Sequence, residues 1–367
     1  MKVLYIANYK DGTGWGNAAV NNILALNHAG VDVVPRAVHY NQANISHPVI
    51  DDLERKRATD IDICIQHVLP TAYHYDSAFK NIGVYFTETN NFKYSLWHKY
   101  INLLDEAWVC NKSAVHASNA SGVTIPVKVF PVSIDMNRYV NLQPTAGVKE
   151  LQDGFNFCFF GELVHRKNLE DLIKAYHLEF HYSENVNLFF KVSHPSINSD
   201  ECLKIITQLN EYVQKKLKIR KRYKNVLAIS GTLRHQDYLS VMNQCHCMVV
   251  PSHGEACCIP VLEAQALGLK VLYTGSTGMD DYVEQSINQQ IESVDAECYG
   301  ANDSLEEIYS SYETWKNINI NALRKAMRRT YEQYQKDDFS KKKLQSFAYG
   351  FDIKNTGNKM KEMLQCL

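Results

Sequence analysis

Short apolar runs alternate with helical-period segments along almost all of this sequence, and that alternation admits few folds. It is the pattern of parallel α/β layers, whose strands are covered by helices on both faces. In the first half the runs lie at 3–7, 31–38, 61–66, 82–87, 106–110 and 127–132, with a helix-like stretch at 17–29 ended by Gly30. Glycine is the residue that closes helices most freely. From Ile134 to Gly154 the period is lost and Pro144 and Gly147 intervene, which predicts a linker. A second set follows, with strand runs at 155–160, 188–192, 226–229, 247–251 and 270–273 and helical patterns at 169–180, 201–217, 236–243 and 260–267. The expectation is two doubly wound α/β domains, 1–145 and 154–347, with ligands held at the carboxyl ends of the strands. A chain of 367 residues suits that division, and each domain is large enough for its own core.

Composition excludes several function classes. A formal net charge of −1 leaves no global electrostatic footprint of a nucleic-acid or membrane binder. Cys64, Cys158 and Cys247 sit inside apolar runs and read as free thiols in a core, not as a disulfide framework. The opening Met1-Lys2-Val3-Leu4-Tyr5-Ile6 is too short an apolar stretch for a signal peptide and predicts a first strand. No run approaches the ~20 apolar residues of a membrane span. A cytoplasmic protein with reduced cysteines is expected.

The densest chemistry lies in Pro251-Ser252-His253-Gly254-Glu255-Ala256-Cys257-Cys258-Ile259-Pro260-Val261-Leu262-Glu263-Ala264. A strand ends at Pro251 and Pro260 suits the first turn of a helix. The backbone at Ala256 to Ile259 would then face out of a helix N-terminus, where donors and dipole together favour a diphosphate. Glu255 and Glu263 flank that point, and a carboxylate can accept from both hydroxyls of a vicinal diol. Upstream, Phe160-Gly161-Glu162 ends a strand ahead of Arg166-Lys167, two cations suited to phosphate oxygens.

The strand, Pro-Ser, Gly-Glu, Pro and Glu-Ala context resembles glycosyltransferase family four, whose hallmark is a Glu-x7-Glu element. The resemblance spans nearly the whole chain, tightest from Phe157 to Tyr282. It implies the GT-B fold: two Rossmann-like domains facing a central cleft, with the segment after about Phe347 (348–367) crossing back to the first. By it Glu255 contacts the transferred sugar, Glu263 the ribose hydroxyls, and Arg166, Lys167, Cys257, Cys258 and Ile259 the donor diphosphate. Leu233, in Ser230-Gly231-Thr232-Leu233-Arg234, falls in the family's base-binding loop. Two departures stand out. The residue after Gly161 is Glu162 where the family commonly has arginine, and Ala256, Cys257 and Cys258 replace its small aromatic or glycine neighbours.

In the first half, Asp11-Gly12-Thr13-Gly14-Trp15-Gly16-Asn17 is a glycine loop opening a helix. A dinucleotide fold would use such a loop, but it calls for an acid at the end of the second strand, which runs out through Pro35-Arg36-Ala37-Val38-His39. In the resembled family this loop covers a diphosphate or acceptor, which assigns Gly16 to the donor and Gly14 and Trp15 to the acceptor side. His67, at a strand's carboxyl end, matches a family histidine beside the donor sugar, and Glu88 could orient an acceptor hydroxyl. A histidine merely capping a strand end is the rival reading.

The implied reaction is retaining transfer of a sugar from a UDP- or GDP-linked donor to an acceptor hydroxyl, with no metal and no cofactor beyond the donor substrate. A sugar-nucleotide epimerase or phosphorylase on the same fold, a transferase acting on nucleic acid, and a non-catalytic binder are the alternatives. Asp60-Ile61-Asp62 opens a strand instead of ending one, and Cys245-His246-Cys247 with Cys257-Cys258 lacks the paired spacing of a zinc site. Residues 215–224 include seven basic side chains, read as a solvated helix end or as a contact for an anionic acceptor or membrane surface.

Overall fold

The computed structural model describes residues 1–299, 308–334 and 341–367. The chain divides into two compact units. One comprises Met1–Met136, Ile308–Glu313 and Tyr349–Leu367, the other Asn137–Glu307 and Thr314–Ala348.

The first unit is built in chain order from β1 (Lys2–Ala7), α1 (Gly14–His28), β2 (Asp32–Ala37), α2 (Pro48–Glu54), β3 (Ile63–His67), β4 (Lys80–Val84), α3 (Trp97–Ile101), β5 (Glu106–Val109), α4 (Lys112–Ala120) and β6 (Val127–Val129). Its strands form one parallel sheet in the order β2-β1-β3-β4-β5-β6. Strands β3 and β5 are buried at every position, which is why they read as continuous apolar runs without alternation. The strand order reverses between β1 and β3, and Ala7 stands in register with His67 at their carboxyl ends.

The second unit continues with α5 (Asn137–Val140), β7 (Phe155–Glu162), α6 (Leu169–Glu179), β8 (Val186–Ser193), α7 (Ser199–Leu217), β9 (Leu227–Ser230), α8 (His235–Met242), β10 (Cys247–Val250), α9 (Ile259–Leu267), β11 (Lys270–Thr274) and β12 (Gln289–Ile291). Its parallel sheet runs β12-β11-β10-β7-β8-β9, so the order reverses between β7 and β10. Ligands of such sheets bind at that reversal. Its core gathers Phe155, Phe157 and Phe159 of β7 with Leu172, Ile173 and Tyr176 of α6. Helix α7 starts at a capping box between Asn198 and Glu201.

Beyond β12 the structure adds elements that the periodicity does not announce. Strands β13 (Ser293–Glu297) and β14 (Thr314–Ile318) pair antiparallel, and α10 (Ile320–Tyr334) packs on α6. These strands are mostly half-buried or exposed and carry polar residues, so they lack the apolar signature of the central strands. Helix α11 (Lys341–Tyr349) leads to α12 (Ile353–Gln365), which packs on α1 of the first unit. Gly357 makes that packing close, since a Cβ there would lie 2.2 Å from the Ala25 carbonyl oxygen. None of the ten cysteines forms a disulfide, and every one but Cys366 is buried. Among the described residues no helix is long and apolar enough to cross a membrane.

Candidate functional site

In the second unit the loops after β7 and β10 meet at the point where the strand order reverses. Arg166 and Lys167 form a short 3₁₀ turn, and His253 N–H donates to the Arg166 carbonyl at 2.8 Å. The Arg166 guanidinium donates to the Gly254 carbonyl at 2.7 Å and lies 3.4 Å from Glu255 Oε2. Lys167 Nζ lies 2.5 Å from Glu255 Oε1. The three side chains are 11%, 13% and 5% exposed, so both cations meet the Glu255 carboxylate in a buried setting. Burial alone would raise the Glu255 carboxyl; the Lys167 and Arg166 charges and the lysine hydrogen bond outweigh it and hold the group below its usual range. Arg166 is therefore as enclosed as Lys167, and Glu255 meets both.

The same loop is braced from behind. Gly278 N–H donates to the Glu255 carbonyl at 3.0 Å, which ties in the turn after β11. His253 stacks on Trp315 of β14 at 4.8 Å, and its Nδ1 sits 2.9 Å from the Lys316 carbonyl. Lys316 N–H in turn donates to the His253 carbonyl at 2.7 Å. The antiparallel hairpin thus fixes the loop that carries Glu255.

Helix α9 begins without a side-chain cap, and its dipole places positive charge at Cys258 and Ile259. Cys258 has φ 53°, the left-handed conformation that glycine adopts without cost. Ala256, Cys257, Cys258 and Ile259 are all buried, and burial followed by the Glu255 charge pushes the Cys258 thiol up, so it is inert. Glu263, one turn inside α9, is buried and receives the Tyr139 hydroxyl on Oε1 at 3.1 Å and the Tyr238 hydroxyl on Oε2 at 3.0 Å. A carboxylate offers about four lone-pair sites, so two remain for a ligand. Leu233 lies half-buried in the turn between β9 and α8, near Gly231 at φ +104°.

In the first unit, the loop after β1 and the end of β3 come together around His67. Asp11 accepts from Thr13 N–H at 2.9 Å and from its hydroxyl at 2.7 Å, while Thr13 caps α1 by accepting from Gly16 N–H. Gly16 is required by contact: a Cβ there would fall 2.3 Å from Asp11 Oδ1 and 2.7 Å from the Asn8 carbonyl. Gly14 has open space around it. His67 is fully buried, and burial lowers its pKa to about 3, so the ring is neutral. Asn22 Nδ2 donates to the Tyr5 hydroxyl at 3.3 Å, and that hydroxyl lies 2.9 Å from His67 Nδ1. The relay Asn22 to Tyr5 to His67 leaves the imidazole proton on Nε2, a buried donor that makes no hydrogen bond. The Trp15 ring stands 6.2 Å from His67 and 5.6 Å from Phe86, and Trp15 Nε1 is likewise unpaired. Glu88 accepts from the Tyr309 hydroxyl at 3.0 Å.

Tyr5, Tyr139, Tyr238, His253 and Trp315 take part in these sites without a sequence signal of their own. Each acts on a partner supplied from elsewhere in the chain, and only the fold makes the pair. The basic stretch is partly structural, since Lys221 donates to the His177 and Phe180 carbonyls at the end of α6 and Arg222 lies over Tyr182. Asp60 has φ 57° ahead of β3, His246 stacks on Phe155, and Cys247 is a core residue of β10. Among the described residues no three of His, Cys, Asp and Glu gather as metal ligands would.

Residues 147–325 match the family described as glycosyl transferases group 1. By sequence no curated protein matches. In fold the chain is similar to the Anabaena protein HepE, solved with UDP-glucose, at 14% identity and a TM-score of 0.66 over 100% of both chains. It is also similar to the trehalose-6-phosphate enzyme of E. coli bound with UDP-2-fluoro glucose, at 10% identity and a TM-score of 0.68, covering 100% of this chain and 99% of that one. Sucrose-phosphate synthase from Thermosynechococcus elongatus gives 13% identity and a TM-score of 0.67, covering 100% and 98%. The chain is thus built as two Rossmann-like units of the GT-B fold, and the stretch that matches group 1 glycosyl transferases spans the sheet of the second.

Proposed function

We propose that the chain moves a sugar from a UDP- or GDP-linked donor to an acceptor hydroxyl in glycan or glycoconjugate synthesis, with retention at the anomeric carbon and without a metal ion. The observation that carries this reading is the buried trio of Arg166, Lys167 and Glu255 beside the N-terminus of α9. A diphosphate seated at that helix end would bring its oxygens to the two cations that now hold Glu255. As it binds, Lys167 and Arg166 turn toward phosphate oxygens, and Glu255 is released to accept from a hydroxyl of the donor sugar. Glu263, preset by two tyrosines, accepts from the ribose diol. In the first unit, His67 Nε2–H is a ready donor to a sugar hydroxyl, and Gly14, Trp15 and Glu88 are assigned to the acceptor.

The chemistry follows from charge placement. The bond from the anomeric carbon to the donor phosphate breaks, and the electron pair leaves with the diphosphate, whose growing charge the two cations and the helix end stabilise. The acceptor oxygen bonds the anomeric carbon on the same face, and its proton passes to the leaving phosphate oxygen. Glu255, once it accepts from a hydroxyl of the donor sugar, is occupied as an acceptor and not aimed at the anomeric carbon, which favours this front-face course over a covalent intermediate. The UDP-sugar ligands of HepE and the E. coli enzyme support a nucleotide-sugar donor. The test is to incubate the protein with UDP- and GDP-sugars, with and without EDTA, and to read the product anomer by proton NMR. Retained configuration and EDTA-resistant turnover are expected. An inverted product would overturn the retaining course, and activity lost to EDTA and restored by manganese would overturn the metal-free one.

A further inference from the structure

The first unit carries a second feature, apart from the cluster around His67. Between β13 and β14 the chain leaves the second unit, and Ile308–Glu313 is built into the first. Three hydrogen bonds fasten it there. The Thr89 hydroxyl donates to the buried Glu313 carboxyl at 2.9 Å, the Tyr309 hydroxyl donates to Glu88, and Asn91 Nδ2 reaches the Tyr312 carbonyl at 3.5 Å. What this fastening places on the surface is the Tyr312 ring, 84% exposed and 6.4 Å from the ring of Tyr94, itself 66% exposed.

Both tyrosines line an open pocket of about 700 Å³ together with Asn90, Asn91, Lys93 and Leu96. That volume falls in the ordinary range of ligand sites, roughly 300–1,000 Å³. The loop bearing Tyr94 is pinned from beneath: Phe92 is fully buried against Trp97, and its N–H donates to Ser121 at 2.7 Å. Leu96 holds φ 59°, a left-handed conformation that costs a non-glycine residue and that clusters at ligand sites. Two exposed rings on a rigid base are an expensive surface for water to cover. Tyrosine gives a broad apolar face with a polar edge at little cost in side-chain entropy. Asn90 and Asn91 set a polar rim, with Asn91 Nδ2 donating to Asn90 Oδ1 at 3.0 Å, and among the described residues Lys93 is the one charged side chain of the lining. Ligands with apolar C–H faces and many hydroxyls suit such a lining, and those are sugars.

We propose that this pocket holds an oligosaccharide, the non-reacting part of the acceptor, by stacking sugar rings on Tyr94 and Tyr312. The proposal rests on the glycosyl-transfer reading for the name acceptor, but the binding itself does not need the donor. Calorimetric titration of the full chain with maltotetraose, cellotetraose and chitotetraose, without nucleotide, tests it. At least one tetrasaccharide should saturate the wild type. Tyr94→Ala and Tyr312→Ala should each weaken it by about tenfold, while Tyr312→Phe keeps most of the affinity. Since both side chains are exposed, the variants should melt with the wild type, and their affinity for UDP or GDP should be unchanged. Failure of all three sugars to bind, or alanine variants that bind as the wild type does, overturns the pocket. UDP or GDP binding without tetrasaccharide binding overturns the pocket alone. Tetrasaccharide binding through the two tyrosines without UDP or GDP binding overturns the transferase reading and leaves the pocket standing.

Discussion

Glu255 is ionised inside the protein because two cations make it so, and its neighbours pay the reciprocal debt. Replacing Lys167 with Ala removes the closer of the two, so it should act twice. Breaking a buried pair costs about 3–5 kcal/mol of stability, reduced here because Arg166 stays at 3.4 Å. Transition-state stabilisation should fall by roughly 2.7–4 kcal/mol, the scale for a lost electrostatic donor. Melting and turnover measured on one preparation separate the two losses; unchanged turnover in a folded variant would remove Lys167 from the mechanism. Linkage gives a sign as well. Because the folded pKa of Glu255 is depressed, its stabilisation is present above the usual carboxylate range and is lost as pH falls through the folded value. Cys258 offers a different check. Its left-handed φ strains any side chain, so Cys258→Gly should be tolerated or stabilising, whereas Cys258→Val should destabilise by about 1–3 kcal/mol. At this scale the charged groups were legible from spacing and context, because Arg166, Lys167, Glu255 and Glu263 lie beside strand ends and a proline-led helix. Their tyrosine partners were not. Tyr139 stands 124 positions from Glu263 in a stretch without periodicity, where nothing distinguishes it.

Among the elements, the loop opening α1 and the segment around Glu313 make the sharpest claims. Gly16→Ala would drive a methyl into Asp11 and the Asn8 backbone, so it should cost about 1–3 kcal/mol and displace the start of α1. The open surroundings of Gly14 predict a far smaller effect for Gly14→Ala, and equal melting points would contradict the packing described. Glu313 is a carboxyl raised to about 8, first by burial and then by the Glu88 charge, against which the Thr89 hydrogen bond works. The sign is the reverse of the Glu255 case. The folded state holds its proton longer, so stability declines as pH rises from the ordinary carboxylate value toward 8, and the full cost is present above that. Glu313→Gln should therefore match the wild type near pH 5 and exceed it near pH 9 in thermal melts. A variant advantage independent of pH would mean that Glu313 does not carry this titration. Central strands such as β3 and β7 are legible because burial on both faces forces continuous apolar runs. The β13–β14 hairpin is not, since its polar, part-exposed strands look like loop, yet it is what clamps His253.

For the whole molecule, each unit reverses its strand order once, β1 against β3 and β7 against β10, and each gathers its buried unusual groups at that reversal. The two layered α/β units follow from the alternation of runs, whereas the strand order, and so where the strand ends converge, is left to topology. In the proposed reaction the second unit binds a nucleoside diphosphate through α9 and the cationic pair, with Glu263 on the ribose and Glu255 on the sugar. Calorimetry with the free nucleoside diphosphate tests it most directly, on the wild type, Glu255→Gln and Glu263→Gln. Removing the Glu255 charge leaves Lys167 and Arg166 to the phosphates, so that variant should bind UDP or GDP at least as tightly as the wild type, while Glu263→Gln binds it more weakly. The reverse order would mean that the two roles are exchanged, and three equal affinities would contradict this mode of binding.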